Sequence, residues 1–102
     1  MTEILKPLRV KIDSLDEEII KLLVEREKIV HQVAGIKEEH GIAVVLPDRI
    51  EQVIDQAGQK AKEIGGTENY MRLIYKRIIE LSCDLENDLI DKDPSSKTNH
   101  NV

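Results

Sequence analysis

The chain is predicted to be all-α, with three helices, one long and two shorter, intertwined with a second copy as a two-fold homodimer. Apolar residues recur every three or four positions through most of the sequence, the period of a buried helix face. Isolated residues aside, glycine and proline fall at two breaks, Gly41 to Pro47 and Gly65-Gly66, which leave three helical segments. The first of these would be about 34 residues and about 50 Å long. A compact domain of about 100 residues has a radius of gyration of only about 13 Å. Two shorter helices cannot cover a stripe of that length, whereas a second copy related by two-fold symmetry can.

The first helix is expected from about Lys6 to Glu39. Pro7 suits its first turn, where the missing N–H has no helical partner to lose. Its stripe begins with Leu8, Ile12, Leu15, Ile19 and Leu22 and continues through Arg26, Ile29, Val33 and Ile36 with Lys37. His40-Gly41 ends it, glycine being the residue that tolerates a left-handed cap. Ile42 to Leu46 reads as an extended connection. Pro47 opens a second helix, with Asp48 placed favourably for the helix dipole. Ile50, Val53, Ile54, Ala57, Ala61 and Ile64 form its apolar side, and Gly65-Gly66 stops it. Thr67 is the expected N-cap of a third helix, with Tyr70 at its third position, running to about Leu89 on Ile74, Ile78, Leu81 and Leu85. The ordered domain is expected over residues 4–90. The polar sequence DKDPSSKTNHNV, residues 91–102, has almost nothing to bury and is expected to be disordered.

Composition narrows the functional classes. Of 102 residues, 34% are charged and the net charge is −5, which disfavours non-specific nucleic-acid binding. There is no Phe or Trp, and the two tyrosines, Tyr70 and Tyr75, offer no platform for stacking bases. No apolar run approaches the ~20 residues of a membrane span, and the start MTEILKPLRV lacks the apolar region of a signal peptide. The single Cys83 excludes an intrachain disulfide and fits a reducing, cytoplasmic setting, where its bland reading is a small apolar filler.

Arg26 and Lys37 occupy positions on the first helix where Leu or Ile would continue the stripe. Eleven residues at about 100° each return to within roughly 20° of the start, so both cations leave one side of the helix, about 16 Å apart. A cation on a buried face is costly unless an anion meets it. Arg49 lies in the first turn of the second helix. Ser82 and Glu86, four apart on the third helix, share a stripe with Tyr75, Ile79 and Leu89. Arg9 precedes Arg26 by seventeen positions, which turns it by about 100° and moves it about 25 Å along the axis. It therefore reaches a pocket around Arg26 only from the partner of an antiparallel dimer. Singly, each residue has a plain reading: Arg and Lys snorkel from stripe edges, Ser82 bonds its own helix backbone, and Glu86 sits in solvent. His31, His40 and His100 are scattered, and no metal-ligand cluster is visible. Together the cations point to a pocket for a small dianion.

At these residues the chain resembles the all-helical (AroQ-type) chorismate mutases. LRVKIDSLDEEIIKLLVERE is similar to the family's opening pattern L-R-x-x-I-D-x-L-D followed by L-L-x-x-R. VAGIKEEHG carries the matching lysine, PDRI the matching arginine, and LIYKRIIELSCDLE the third-helix pattern. The resemblance covers about residues 4–90. It implies a two-fold dimer of three-helix protomers that rearranges chorismate to prephenate without cofactor, metal or covalent intermediate. It further implies that Arg26 and the partner's Arg9 hold the substrate carboxylates and that Arg49 supports that anionic end. Ser82 belongs to the same set of binding residues. Lys37 would donate to the ether oxygen, where negative charge grows as the C–O bond breaks.

Two positions depart from the commonest family pattern. Ile50 stands where many mutases carry a glutamate that meets the ring hydroxyl, and Glu51 is about 100° away. Glu86 replaces the usual glutamine partner of the ether oxygen. A protonated Glu86 could donate like the amide, whereas a carboxylate would repel the developing charge. Related isochorismate pyruvate lyases and 4-amino-4-deoxychorismate mutases share the scaffold, so their substrates are alternatives. A competing class is a non-catalytic helical dimer, either a scaffold or a metabolite-binding module. The set of cations argues against it, because a scaffold is expected to keep Leu or Ile at 26 and 37.

Overall fold

A computed structural model describes residues 2–91. A single 3-10 turn, Thr2–Ile4, leads into three helices: α1 (Lys6–His40), α2 (Pro47–Glu63) and α3 (Glu68–Asp91). No strand occurs among the described residues. Asp91, expected to begin the disordered tail, instead closes α3; residues 92–102, where the rest of that expectation falls, lie outside the described residues.

The punctuation acts where the sequence places it. Pro7 lies in the first turn of α1, and Gly41 caps the helix in the left-handed region at φ 67°, ψ 32°. There the Ile42 N–H donates to the Lys37 carbonyl at 2.8 Å. Pro47 starts α2 with Asp48 in its first turn. The Thr67 carbonyl accepts from the Met71 N–H at the start of α3.

Packing is uneven. α3 is the centre of the protomer: α2 packs along it and the C-terminal part of α1 crosses it, while α1 and α2 do not pack on each other. At the α2–α3 contact Ala57, Gly58 and Ala61 are buried against α3, on which Ile79 is buried. The small side chains let the two helix backbones approach. A Cβ added at Gly58 would stand 2.7 Å from Cγ of Arg72 and 3.1 Å from Cγ of Glu68. Arg72 also bridges the two helices through Asp55, Nη1 to Oδ1 at 2.6 Å. That pair is exposed and adds little on its own.

Four expected apolar positions on the three helices lie outside the core. Ile29 and Ile36 on α1 are exposed, because the face turned to α3 is Arg26, Val30, Val33, Ala34 and Lys37. Ile64 is 87% exposed beyond the last turn of α2. On α3 the stripe of Ile79 and Glu86 is the buried one, whereas Leu81 of the expected apolar stripe is exposed. α3 has neighbours on two sides, so its most enclosed line falls between them.

The N-terminal half of α1 leaves its apolar stripe largely uncovered in the protomer. Leu8, Ile12, Leu15, Ile19 and Leu22 are each more than half exposed. The protomer is accordingly long, 58 × 29 × 21 Å, with a radius of gyration of 18.0 Å.

Gly58→Val is expected to lower stability by about 1–3 kcal/mol, through overpacking at the α2–α3 contact. Urea unfolding should show the lower midpoint with an unchanged slope, and a wild-type midpoint would contradict the close contact.

Candidate active site

Between α1 and α2, floored by α3, lies a cleft of about 270 Å³. Five of the six expected site residues line it: Arg26 and Lys37 from α1, Arg49 from α2, Ser82 and Glu86 from α3. Every other lining side chain is apolar or is Cys83. Arg9 is not among them. It is exposed on the unpacked half of α1, and one continuous helix separates it from Arg26 by about 25 Å.

The five residues come together because α1 and α3 cross at matching polar positions. One turn-and-a-bit of α3 separates Ser82 from Glu86, and three turns of α1 separate Arg26 from Lys37, so each cation meets one α3 group. Arg26 Nη1 donates to Ser82 Oγ at 2.5 Å, and Ser82 Oγ in turn donates to the Ile78 carbonyl at 2.9 Å. This combines the plain reading of Ser82 with the functional one: its own backbone orients the hydroxyl, leaving its lone pairs for the guanidinium. Lys37 Nζ lies 2.8 Å from Glu86 Oε1, with only 13% and 7% of the two side chains exposed. Nζ also donates to the Val44 carbonyl at 2.8 Å.

The Lys37–Glu86 contact is a close ion pair without hydrogen-bond direction, since Glu86 Oε1, fully buried, has no hydrogen-bond partner. The expectation that Glu86 in isolation would be a solvent-facing helix residue is therefore wrong: it is 5% exposed. An ammonium has three protons to donate. One is committed to Val44, which leaves protons of Lys37 for a ligand. Arg49 is more loosely held: it is exposed, and its Nη1 donates to Gln52 Oε1 at 2.8 Å on its own helix.

Three cations face one carboxyl group across otherwise apolar walls. That charge balance can accept a small dicarboxylate, with Ile29, Val33, Ile50 and Val53 as apolar wall and the guanidiniums as the cationic groups. Ile50 puts an apolar surface where an acid was the commoner expectation. No group of three or more His, Cys, Asp or Glu able to hold a metal occurs among the described residues. No helix among them is long and apolar enough to cross a membrane.

One contributor was missed in the sequence: the Val44 carbonyl, which has no side-chain signature and could not have been found. Cys83, read as a small apolar filler, is three residues from Glu86 on one face of α3. It lines the cleft half-buried, and its thiol is pushed above its ordinary range, first by burial and then by the Glu86 charge, against a lowering influence of Lys37. At neutral pH it is a neutral wall and not a nucleophile.

Removing one member of the Lys37–Glu86 pair strands the other charge in a buried place, at a cost of about 3–5 kcal/mol. Lys37→Met alone is therefore expected to be far less stable than Lys37→Met combined with Glu86→Leu. Equal urea midpoints for the single and double variants would show that the pair is not desolvated.

The family profile described as chorismate mutase type II matches residues 8–87. The chain is 33% identical over 92 residues to a protein named chorismate mutase from Methanocaldococcus jannaschii, covering 90% of this chain and 93% of that one. It is 33% identical over 85 residues to the T-protein of Haemophilus influenzae, covering 83% of this chain but only 22% of the longer relative. It is 29% identical over 82 residues to a 4-amino-4-deoxychorismate mutase from Streptomyces venezuelae, with 80% of each chain covered. No solved structure matches significantly. Fold, cleft and sequence agree: the chain belongs to the type II chorismate mutase family, a family of isomerases.

Proposed function

We propose that the protein converts chorismate to prephenate, working as a homodimer in which each cleft is completed by the other chain. The observation that carries this reading is the convergence of Arg26, Lys37, Arg49, Ser82 and Glu86 on one cleft with mostly apolar walls. The dimer is supported by the exposed stripe Leu8, Ile12, Leu15, Ile19 and Leu22, an apolar face far longer than isolated surface residues would make. It is supported too by the placement of Arg9 on that same half of α1.

The reaction is a rearrangement within one molecule: the C–O bond of the enolpyruvyl ether breaks as a C–C bond forms, and no proton or electron is exchanged with the protein. Catalysis then reduces to holding the folded conformer and stabilising the charge that gathers on the ether oxygen. Arg26, oriented by Ser82, holds one carboxylate, and the partner's Arg9 the other. Arg49 releases Gln52 and closes on the anionic end. Lys37 donates to the ether oxygen. Glu86, carrying a proton when substrate is bound, gives that oxygen a second hydrogen bond.

A second substrate is favoured by one feature. Ile50 leaves no acid at the ring-substituent end of the cleft, and one similar protein is named 4-amino-4-deoxychorismate mutase. Incubation with chorismate, isochorismate and 4-amino-4-deoxychorismate, with products identified by mass and ultraviolet spectrum, separates the readings. Prephenate from chorismate is expected, and no turnover of any of the three between acid and neutral pH would overturn the enzymatic reading.

Mixing inactive Arg9→Ala and Arg26→Ala chains should restore about one intact site in two within each mixed dimer, because both lesions fall in the same cleft. Mixtures as inactive as the parents would refute a shared site. Wild-type kcat should fall as pH rises, and Glu86→Gln, whose amide donates at any pH, should hold its rate further into the alkaline range. Identical pH–rate profiles for the two would remove Glu86 from the proton-donating role.

A further inference from the structure

Lys37 is gripped twice by the connector that follows its helix. Its backbone carbonyl accepts from the Ile42 N–H at 2.8 Å, and its side-chain Nζ donates to the Val44 carbonyl at 2.8 Å. Both grips depend on a reversal of the chain within two residues of the end of α1. Gly41 makes that reversal at φ 67°, ψ 32°. A continued helix would carry residues 42–44 away along the axis of α1, out of reach of the ammonium.

Space does not explain the glycine. A Cβ built on Gly41 meets no atom within 4 Å, whereas one on Gly58 collides with Arg72. Only the backbone conformation of Gly41 excludes most other residues. α1 and α2 do not pack on each other, so no direct helix contact sets the width of the cleft between them. That span is bridged by the connector and its bond to Lys37. Val44 and Leu46 of the connector line the cleft, and Arg49 follows them on α2.

We infer that Gly41 is a positioning residue: its left-handed turn brings the Val44 carbonyl onto Lys37, aiming the ammonium into the cleft and fixing the distance between the α1 and α2 walls. The inference rests on the proposed use of Lys37 at the ether oxygen. It adds that the geometry of this donor is set by a residue that touches neither substrate nor Lys37's side chain.

The test compares Gly41→Val, Gly41→Asn and Gly65→Val. Asn tolerates the left-handed region and Val does not. Gly65 is the matched control: it has φ 85°, equally open space around its Cβ position, and a place in the α2–α3 turn outside the cleft. Gly41→Val is expected to lower kcat about 10-fold with little change in KM, as small misplacements of a donor do. Gly41→Asn should restore most of that loss, and Gly65→Val should keep the wild-type kcat even where it melts earlier. Without any substrate, reductive methylation followed by mass spectrometry should modify Lys37 faster in Gly41→Val than in wild type. Equal kcat losses in Gly41→Val and Gly65→Val, no rescue by Asn, or an unchanged methylation rate of Lys37 would each overturn the inference. Should wild type turn over none of the three substrates, the functional reading fails, while the methylation rates still decide the role of Gly41.

Discussion

The buried pairing of Lys37 with Glu86 is the constraint on which the rest of this protomer turns. Two charges 2.8 Å apart, each almost wholly removed from water, are stable only while both are present and neither can be moved alone. They lock the register of α1 on α3, and Arg26 with Ser82 repeats the lock three turns earlier. Since α1 does not pack on α2, this polar seam, the apolar contact of Val30, Val33 and Ala34 with α3 between its two locks, and the connector hold α1 to the other two helices. A seam of leucines would have held α1 at least as well. It would have left nothing in the cleft to meet a dianion.

The cleft follows from the same arrangement. α3 is packed on both sides, so its most enclosed line, Ile79 to Glu86, becomes the floor, and the helices diverging from it become walls. The cations are pre-oriented by partners within the protein: Ser82 for Arg26, Val44 and Glu86 for Lys37, Gln52 for Arg49. Donors held in place before the substrate arrives need little reorganisation as charge develops, which is where electrostatic catalysis gains most. The grading is also informative. Lys37 is tightly enclosed, whereas Arg49 is exposed and held only by a neighbour on its own helix, so of the three cations it is the least constrained.

Much of this was legible in the sequence. The boundaries of α1 and α2 follow from Gly41 and Pro47, whose backbone requirements are local and survive any tertiary context. Arg26 and Lys37 were conspicuous because a helical period makes a charge on an apolar stripe visible without a structure. The resemblance to chorismate mutases tied Arg49, Ser82 and Glu86 to the same site. The errors came where packing chose among several apolar faces. Ile29 and Ile36 fit the period of the stripe yet lie outside the contact with α3, and Ile64 fits the apolar side of α2 yet extends past its last turn. Hydrophobic periodicity reports that a face is apolar and does not report how much of it a neighbour reaches.

By itself, then, the sequence determined the three helices, their ends, the surplus length of the first, and the set of charges that share its stripe. These are properties of local backbone chemistry and helical geometry. Only the tertiary structure decided that α3 is the central helix, that Glu86 is buried against Lys37 and not solvated, and that the Val44 carbonyl completes the hold on that lysine. Contacts such as Lys37 with Glu86 join residues 49 positions apart, and a backbone carbonyl carries no residue identity. Neither can be read from spacing along the chain, because both exist only once the helices have crossed.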